Sequence, residues 1–389
     1  MSCIIEIDDI DSDECSNQCD TYLIDTILFS ETKYNIFYKK YIMRNIPCVI
    51  KNISYNWNSA KKWVDNSLIN YQYLCDEYGD VVAPITICGD TISHCKKDMY
   101  IKDYIDYLLC TKKDELLYLK DLHLRRLRPN DDFYQIPYIF GSDWLNEFAL
   151  DHNEDDFMFV YIGPKNSWTP LHADVYNSFS WSVNVVGCKK WILLPPGAED
   201  EIKDQLGNVP LQFDPKIFPN VKYFEIIQEK GDAVFVPSGW YHQVINLVET
   251  ISINHNWINA CNIEFTWNAL QKCLLSVENE IKEFSNTPEY TEQCQIMLKS
   301  LFGMNYKSFI QLLCYISNKR LKQIEDGNYT SFYKFILGIK HITFDLNRIY
   351  NIMSSIYNHH LFFKKYNLSD IEPDFFKSYN SIAKILNKL

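Results

Sequence analysis

Trp168-Thr169-Pro170-Leu171-His172-Ala173-Asp174-Val175 is the stretch on which the reading of this chain turns. A strand alternates its side chains between two faces, so residues i and i+2 of Pro170-Leu171-His172-Ala173-Asp174 share one cavity. One short strand thus offers an imidazole and a carboxylate. A second imidazole comes from Phe235-Val236-Pro237-Ser238-Gly239-Trp240-Tyr241-His242-Gln243-Val244. This is an apolar run broken by a Pro-Ser-Gly turn, with His242 at the start of the following strand. Two imidazoles and one carboxylate on one side of an octahedral ion leave the opposite positions open for a co-substrate and for oxygen, which is what a mononuclear ferrous site needs. His172, Asp174 and His242 are therefore the candidate metal ligands. A bare His-x-Asp occurs on many surface strands, so the surroundings have to carry the rest.

Between the ligands lies Ser180-Trp181-Ser182-Val183-Asn184-Val185-Val186-Gly187-Cys188-Lys189-Lys190-Trp191-Ile192-Leu193-Leu194-Pro195-Pro196. It reads as two strands joined at Gly187 and stopped by the proline pair. Lys189 and Lys190 are neighbours on a strand and so face opposite ways. One suits a solvated edge. The other points inward near the metal, where a buried ammonium is costly unless an anion pairs with it.

The stretch from Tyr161 to Trp257 resembles a jumonji-C domain of the cupin-like 2-oxoglutarate- and Fe(II)-dependent oxygenases. Within that family, Trp168 to Val175 followed by Ser180-Trp181-Ser182-Val183-Asn184 is most similar to the branch of jumonji-domain-containing protein 4, whose members hydroxylate a lysine of the eukaryotic translation termination (release) factor. The resemblance implies iron ligation by His172, Asp174 and His242. It implies that Lys189 pairs with the distal carboxylate of 2-oxoglutarate, with Thr169 assisting and Tyr118, in Glu115-Leu116-Leu117-Tyr118-Leu119-Lys120-Asp121, contributing from an earlier strand. Several relatives carry an asparagine where Ser182 stands; the shorter serine would reach the co-substrate through water. Asn254 and Asn256 share one face of Ile251-Ser252-Ile253-Asn254-His255-Asn256-Trp257, and Asn254 is the expected polar neighbour of the co-substrate. The implied reaction decarboxylates 2-oxoglutarate to succinate and CO2 while O2 supplies a hydroxyl to an unactivated carbon.

The implied fold class is α+β: a double-stranded β-helix (jelly-roll, cupin-like) jumonji-C core with N-terminal helices and strands and a helical C-terminal region. Residues 1–20 are acidic and without periodicity, which predicts a mobile end. Residues 21–130 read as helices and strands flanking the barrel. Asp20 to Ile42 and Trp57 to Tyr78 look helical, Ile46 to Lys51, Val81 to Cys88 and Leu116 to Lys120 look like strands, and Met99 to Leu109 looks like a short helix. The core is placed at 131–262. From 263 to 389 the pattern changes to long amphipathic segments: Ile263 to Phe284, Glu289 to Phe302, Tyr306 to Ile324, Tyr329 to Tyr357 and Glu372 to Leu389. Covering the barrel is the plain role for that region; dimerisation or substrate docking is the sharper one.

Composition fits a globular chain: 389 residues, 47% hydrophobic and 23% charged. Such a length buries a large core and accommodates a second region. No run of 18 apolar residues and no basic-then-apolar opening occurs, so neither a membrane span nor a secretory signal is expected. Thirteen scattered cysteines without a Cys-x-x-Cys pair predict reduced thiols in cytoplasm or nucleus. They also argue against the zinc modules that accompany many chromatin demethylases. A net charge of −12 disfavours nonspecific nucleic-acid binding, a local basic stretch such as Lys120 to Arg128 notwithstanding, and suits a basic or lysine-bearing protein partner. Aromatic residues make up 15% of the chain, and Trp168, Trp181, Trp191, Trp240, Tyr241 and Trp257 crowd the ligands. Most are expected in the core, with one or two lining the path of a long cationic side chain. Three readings compete: a lysyl hydroxylase of the release factor; a histone lysine demethylase or a hydroxylase of another protein or RNA; and a scaffold without activity, which the intact ligand set disfavours.

Overall fold

The computed structural model describes residues 3–8, 24–89, 96–327, 333, 335–359 and 361–388. At its centre, eight strands between Met158 and Trp257 are shared between two sheets, and the chain crosses from one to the other at every step except from Lys189–Leu194 to Phe224–Gln228, which pair within the smaller sheet. Met158–Gly163, Phe179–Val186, Ala233–Val236 and Thr250–Trp257 lie in the larger sheet. Trp168–His172, Lys189–Leu194, Phe224–Gln228 and Tyr241–Asn246 form the smaller one. This alternation is the double-stranded β-helix expected from the sequence.

Burial of the Phe179–Val186 strand shows how the sequence makes such a wall. All eight residues are buried. Phe179, Trp181, Val183 and Val185 enter the main core, where Trp181 stacks on Phe140 and His255. The alternate residues Ser180 and Ser182 turn into the space between the sheets. Part of that space is filled by Trp191, Leu193, Val234, Val236 and Val244. The rest is a polar cavity. Gly187 carries the chain from one sheet to the other at φ 93°, with no room for a side chain: a Cβ would stand 2.4 Å from the Glu249 carbonyl oxygen. The strands before and after it are therefore not a hairpin, and Lys189 starts in the opposite sheet.

The N-terminal region extends the barrel. Leu116–Leu122, Val82–Cys88 and Lys96–Tyr100 continue the larger sheet beyond Met158–Gly163, and Cys48–Lys51 and Asp25–Leu28 continue it past Ala233–Val236, making nine strands. Three expectations need correction here. Asp20 to Ile42 is not one helix. Its residues 20–23 lie outside the described residues, Asp25–Leu28 pairs in parallel with Cys48–Lys51, Phe29–Glu31 is a single 3-10 turn, and α-helix begins only at Tyr34. Trp57 to Tyr78 is cut by a hairpin, Val64–Asp65 against Leu68–Ile69, whose turn residues Asn66 and Ser67 both adopt positive φ. Met99 and Tyr100 close a strand before the helix Ile101–Leu109.

Residues 3–8 are not a loose end. Cys3–Ile5 pairs in parallel with Phe335–Leu337, and Ile5 and Ile7 are buried; the rest of the acidic stretch, 9–20, lies outside the described residues. That pairing also shortens the expected Tyr329 to Tyr357 helix, which starts at Ile339 after Gly338. The helical C-terminal region otherwise follows the amphipathic pattern: Ile263–Glu280, Tyr290–Phe302, Tyr306–Asp326, Ile339–Tyr357, Phe362–Lys365 and Glu372–Leu386. Asn305 and Ser308 cap Tyr306–Asp326 reciprocally. No helix among the described residues is long and apolar enough to cross a membrane.

Candidate active site

The two histidines face each other across an antiparallel pair. His172 ends one strand, His242 lies opposite it in register, and their rings are 4.4 Å apart. Pairing is irregular between Thr169 and His172, where Pro170 has no N–H to donate. Asp174 follows just beyond the strand end, with its Oδ2 4.0 Å from His242 Nε2. One donor atom from each of the three residues lies within 4.8 Å of the others, so the three could hold one metal ion.

Each imidazole is set in the same tautomer by its own backbone. His172 Nδ1 lies 2.7 Å from the Pro170 carbonyl and His242 Nδ1 lies 3.0 Å from the Trp240 carbonyl. A carbonyl only accepts, so Nδ1–H donates in both and the Nε2 lone pairs are left for a metal. Desolvation, reinforced by the neighbouring His242, takes His172 down to about 4, which keeps it a neutral ligand at pH 7. The Ser180 hydroxyl donates to Asp174 Oδ2 at 2.6 Å and fixes the carboxylate's orientation.

Deeper in the same cavity is a second, cationic end. Lys189 is 2% exposed, and among the described residues its Nζ reaches the Ser252 hydroxyl, at 2.6 Å, and the Tyr161 ring, at 5.8 Å. Burial, with Lys120 nearby, pulls its ammonium down to about 7. Lys190 points the other way and pairs with Glu225 at 2.7 Å, as alternation requires. Thr169 and Ser182 both line the cavity, and their hydroxyls are buried with no hydrogen-bond partner among the described residues. A buried cation beside orphaned hydroxyls is a cradle for an anion with several acceptor atoms.

Tyr118 also lines the cavity; burial pushes its phenol well above the ordinary range while Asn246 hydrogen-bonds it. Asn254 and Asn256 both face inward, Asn254 donating to Ser252 and Asn256 to Ser178. All eight sequence-derived candidates thus border one space. Sequence reasoning missed Ser180, Ser252, Tyr161 and Lys120. The first two were readable: Ser180-x-Ser182-x-Asn184 and Ser252-x-Asn254-x-Asn256 are period-two polar faces on buried strands, and their registers, Ser182 opposite Asn254 and Ser180 opposite Asn256, put them together.

Among the tryptophans, Trp191 stands 5.6 Å from the His242 ring, held by its Nε1–H to Gln228 Oε1 at 2.8 Å. Trp181, Trp240 and Trp257 are core. The basic candidate stretch does not make a patch. Arg125 stacks on Tyr134, Arg126 pairs with Asp155, Arg128 pairs with Asp80, and Lys120 turns to the cavity.

Comparison with known proteins agrees with this geometry. Residues 34–263 match the family model described as a cupin-like domain. The chain is 38% identical over 363 residues to a 2-oxoglutarate and iron-dependent oxygenase JMJD4 homolog of Drosophila melanogaster, covering 83% of this chain and 85% of the relative. It is 39% identical over 352 residues to JMJD4 of Homo sapiens, covering 84% and 83%. An arginine-specific demethylase, JMJ20 of Arabidopsis thaliana, is 34% identical over 317 residues, covering 74% and 68%. A cupin-like barrel, a His-Asp-His cluster at the mouth of its cavity and these relatives together show that the chain belongs to the jumonji-C 2-oxoglutarate- and iron-dependent oxygenases, with the JMJD4 enzymes.

Proposed function

We propose that the chain is a protein hydroxylase that oxidises a lysine side chain of the translation termination factor. The cavity of the described residues carries the reading: three metal donors at one end, and a buried Lys189 with orphaned hydroxyls at the other. Similarity to JMJD4 enzymes over more than four-fifths of the chain supports an oxygenase. The Trp168–Val175 motif supports the choice of substrate.

In this reading His172, Asp174 and His242 hold Fe(II), and Lys189 anchors the distal carboxylate of 2-oxoglutarate. Thr169 donates to the same carboxylate, Tyr118 closes the wall beside it, Ser182 contributes through water, and Asn254 keeps Ser252 turned toward Lys189. Bound iron and 2-oxoglutarate supply the oxidising power by which O2 is activated, with succinate and CO2 released. The protein's part is to place one C–H bond and to keep bulk water out. Its net charge of −12 suits a cationic partner, and a partner in translation places the enzyme in the cytoplasm.

A second reading, removal of a methyl group from arginine, draws on the relative whose name states arginine-specific demethylation. One experiment separates them. Fe(II) and 2-oxoglutarate are titrated in without oxygen, oxygen is admitted, and the folded stop-codon-reading domain of the release factor is weighed by intact mass. Addition of one oxygen to a single lysine supports the proposal, and an isolated peptide should react more poorly than the domain. An unmodified domain alongside demethylated arginine peptides would favour the second reading.

A further inference from the structure

The loop that carries Asp174 is held in a conformation its sequence alone would not choose. Directly after Asp174, Tyr176 (φ 58°, ψ 12°) and Asn177 (φ 53°) are both left-handed. Glycine adopts that region freely and a bulky side chain does not, so something must impose it. Val175, 53% exposed, does not.

The restraint comes from the helical C-terminal region. The Tyr176 ring packs against Phe302, with centroids 5.9 Å apart, and against Phe157 at 5.4 Å. Its edge lies over the bare backbone of Gly303, the left-handed residue that ends the Tyr290–Phe302 helix. A Cβ there would stand 2.8 Å from Tyr176 Cε1. Asn177 Nδ2–H donates to the Phe265 carbonyl, in the first turn of Ile263–Glu280, at 3.4 Å. On its other side Asn177 Oδ1 lies 3.5 Å from where a Cβ would stand on Gly239, in the turn that delivers His242. The segment leading from Asp174 to Ser180 is thus fastened to the C-terminal helices and abuts the His242 turn.

We propose that Tyr176 is a positioning residue, a wedge between the metal loop and the Phe302–Gly303 helix end, through which the helical region aims the Asp174 carboxylate and so sets metal affinity. The proposal rests on Asp174 being a ligand and on no assumption about the substrate. Because second-shell partners commonly change metal affinity 10- to 100-fold, loss of the wedge should be visible without turnover.

The test is Mn(II) binding to the metal-free full chain, read from the EPR signal of free Mn(II), with melting temperature measured beside it. Tyr176→Ala and Gly303→Ala should each weaken Mn(II) about tenfold or more. Tyr176→Phe keeps the ring and should bind within about twofold of the parent. Phe375→Ala removes a ring packed on Phe363, Phe375's neighbour Phe376 and Tyr379 rather than on the loop, and should lower the melting temperature with Mn(II) affinity unchanged. Parent-like affinity in both wedge variants overturns the proposal, as does an equal loss of affinity in Phe375→Ala. Parent-like affinity in Asp174→Ala would instead remove the ligand assignment beneath it.

Discussion

Two buried cations, one in the helical region and one in the barrel, are treated in opposite ways. Arg320 is 0% exposed and saturated with partners. Its Nη1 and Nη2 donate to Glu147 at 3.1 and 2.9 Å, and its Nε donates to Asp345 at 2.8 Å. Around that core, Lys319 pairs with Glu147, Trp144 donates to Asp345, and His341 joins Asp345 to the Tyr34 hydroxyl. Lys189 is nearly as buried and, among the described residues, meets one serine hydroxyl and one ring face. Burial opposes the charge of both. At Arg320 the carboxylates more than offset it and raise the guanidinium above its usual value, whereas Lys189 falls to about 7. Arg320 is complete among the described residues, whereas in the proposed reading Lys189 awaits an anion.

The largest effects should come from the metal end. Asp174→Ala removes the only anionic donor, and 2-oxoglutarate consumption should drop to background, as should that of His242→Ala. Both proteins should melt close to the parent, since each loses a ligand and little packed volume. Turnover near the parent's in Asp174→Ala would end the site assignment.

Next is the comparison itself, broken by the same substitution at each cation. Arg320→Met takes from the buried Glu147 and Asp345 carboxylates their shared guanidinium, leaving Glu147 to Lys319 and Asp345 to Trp144 and His341, and should cost about 3 kcal/mol of stability, seen in denaturant melts. Lys189→Met strands nothing in the free protein and should leave stability equal or higher. Its cost should appear instead in 2-oxoglutarate affinity, weakened roughly 10²–10³-fold, the binding equivalent of a broken buried pair. Lys190→Ala, on the outer face, should do neither. If Lys189→Met melts like Arg320→Met and binds 2-oxoglutarate normally, the distinction between the two cations is wrong.

The sequence made the functional cation legible and hid the structural one, for a physical reason. Lys189 and Lys190 are neighbours on one strand, so the period of a strand sends one of them inward, and the resemblance of the surrounding motifs picks Lys189. Arg320 lies in an amphipathic helix, and its partners Glu147 and Asp345 are 173 and 25 residues away in the chain. Nothing local announces that pairing. The same limit explains the errors at Asp20 to Ile42 and Tyr329 to Tyr357. Asp25–Leu28 and Phe335–Leu337 are extended because distant strands, Cys48–Lys51 and Cys3–Ile5, accept their hydrogen bonds. Tyr176 was invisible too, since its backbone strain is imposed by Phe302 and Gly303.

A pH series sharpens the contrast. An anion needs the charged form of Lys189, and the free protein carries that charge only below about pH 7. Affinity for 2-oxoglutarate should therefore be level below pH 7 and fall above it, up to about tenfold per unit, as a proton must be taken up on binding. Stability has the opposite sign. Between pH 7 and the unfolded lysine value of 10.5, the unfolded chain holds a proton that the folded chain has lost, so this group makes the apo protein more stable as pH rises. Lys189→Met should flatten both profiles. Arg320 is raised and Asp345 lowered, so their pair stays ionised throughout that window and adds no slope; the Asp345 contribution is lost only on acidification below the ordinary carboxylate range.

The smallest expected effect separates the two orphaned hydroxyls. Thr169 lies on the smaller sheet beside Val244, and Ser182 on the larger sheet opposite Asn254. A hydroxyl that donates to a bound carboxylate contributes about 1–1.5 kcal/mol, so Thr169→Val should weaken 2-oxoglutarate roughly tenfold in anaerobic titration. Val keeps the volume and branching of Thr, so neither packing nor stability should suffer in the free protein, where the hydroxyl has no partner among the described residues. Ser182→Ala removes a shorter arm that acts through water, and about a two- to threefold loss is expected. Equal losses at both positions would mean that Ser182 reaches the co-substrate directly, and a larger loss at Ser182 would move the distal carboxylate toward the wall of Asn254. Either result would redraw the anion's place in the cavity while leaving intact its dependence on Lys189.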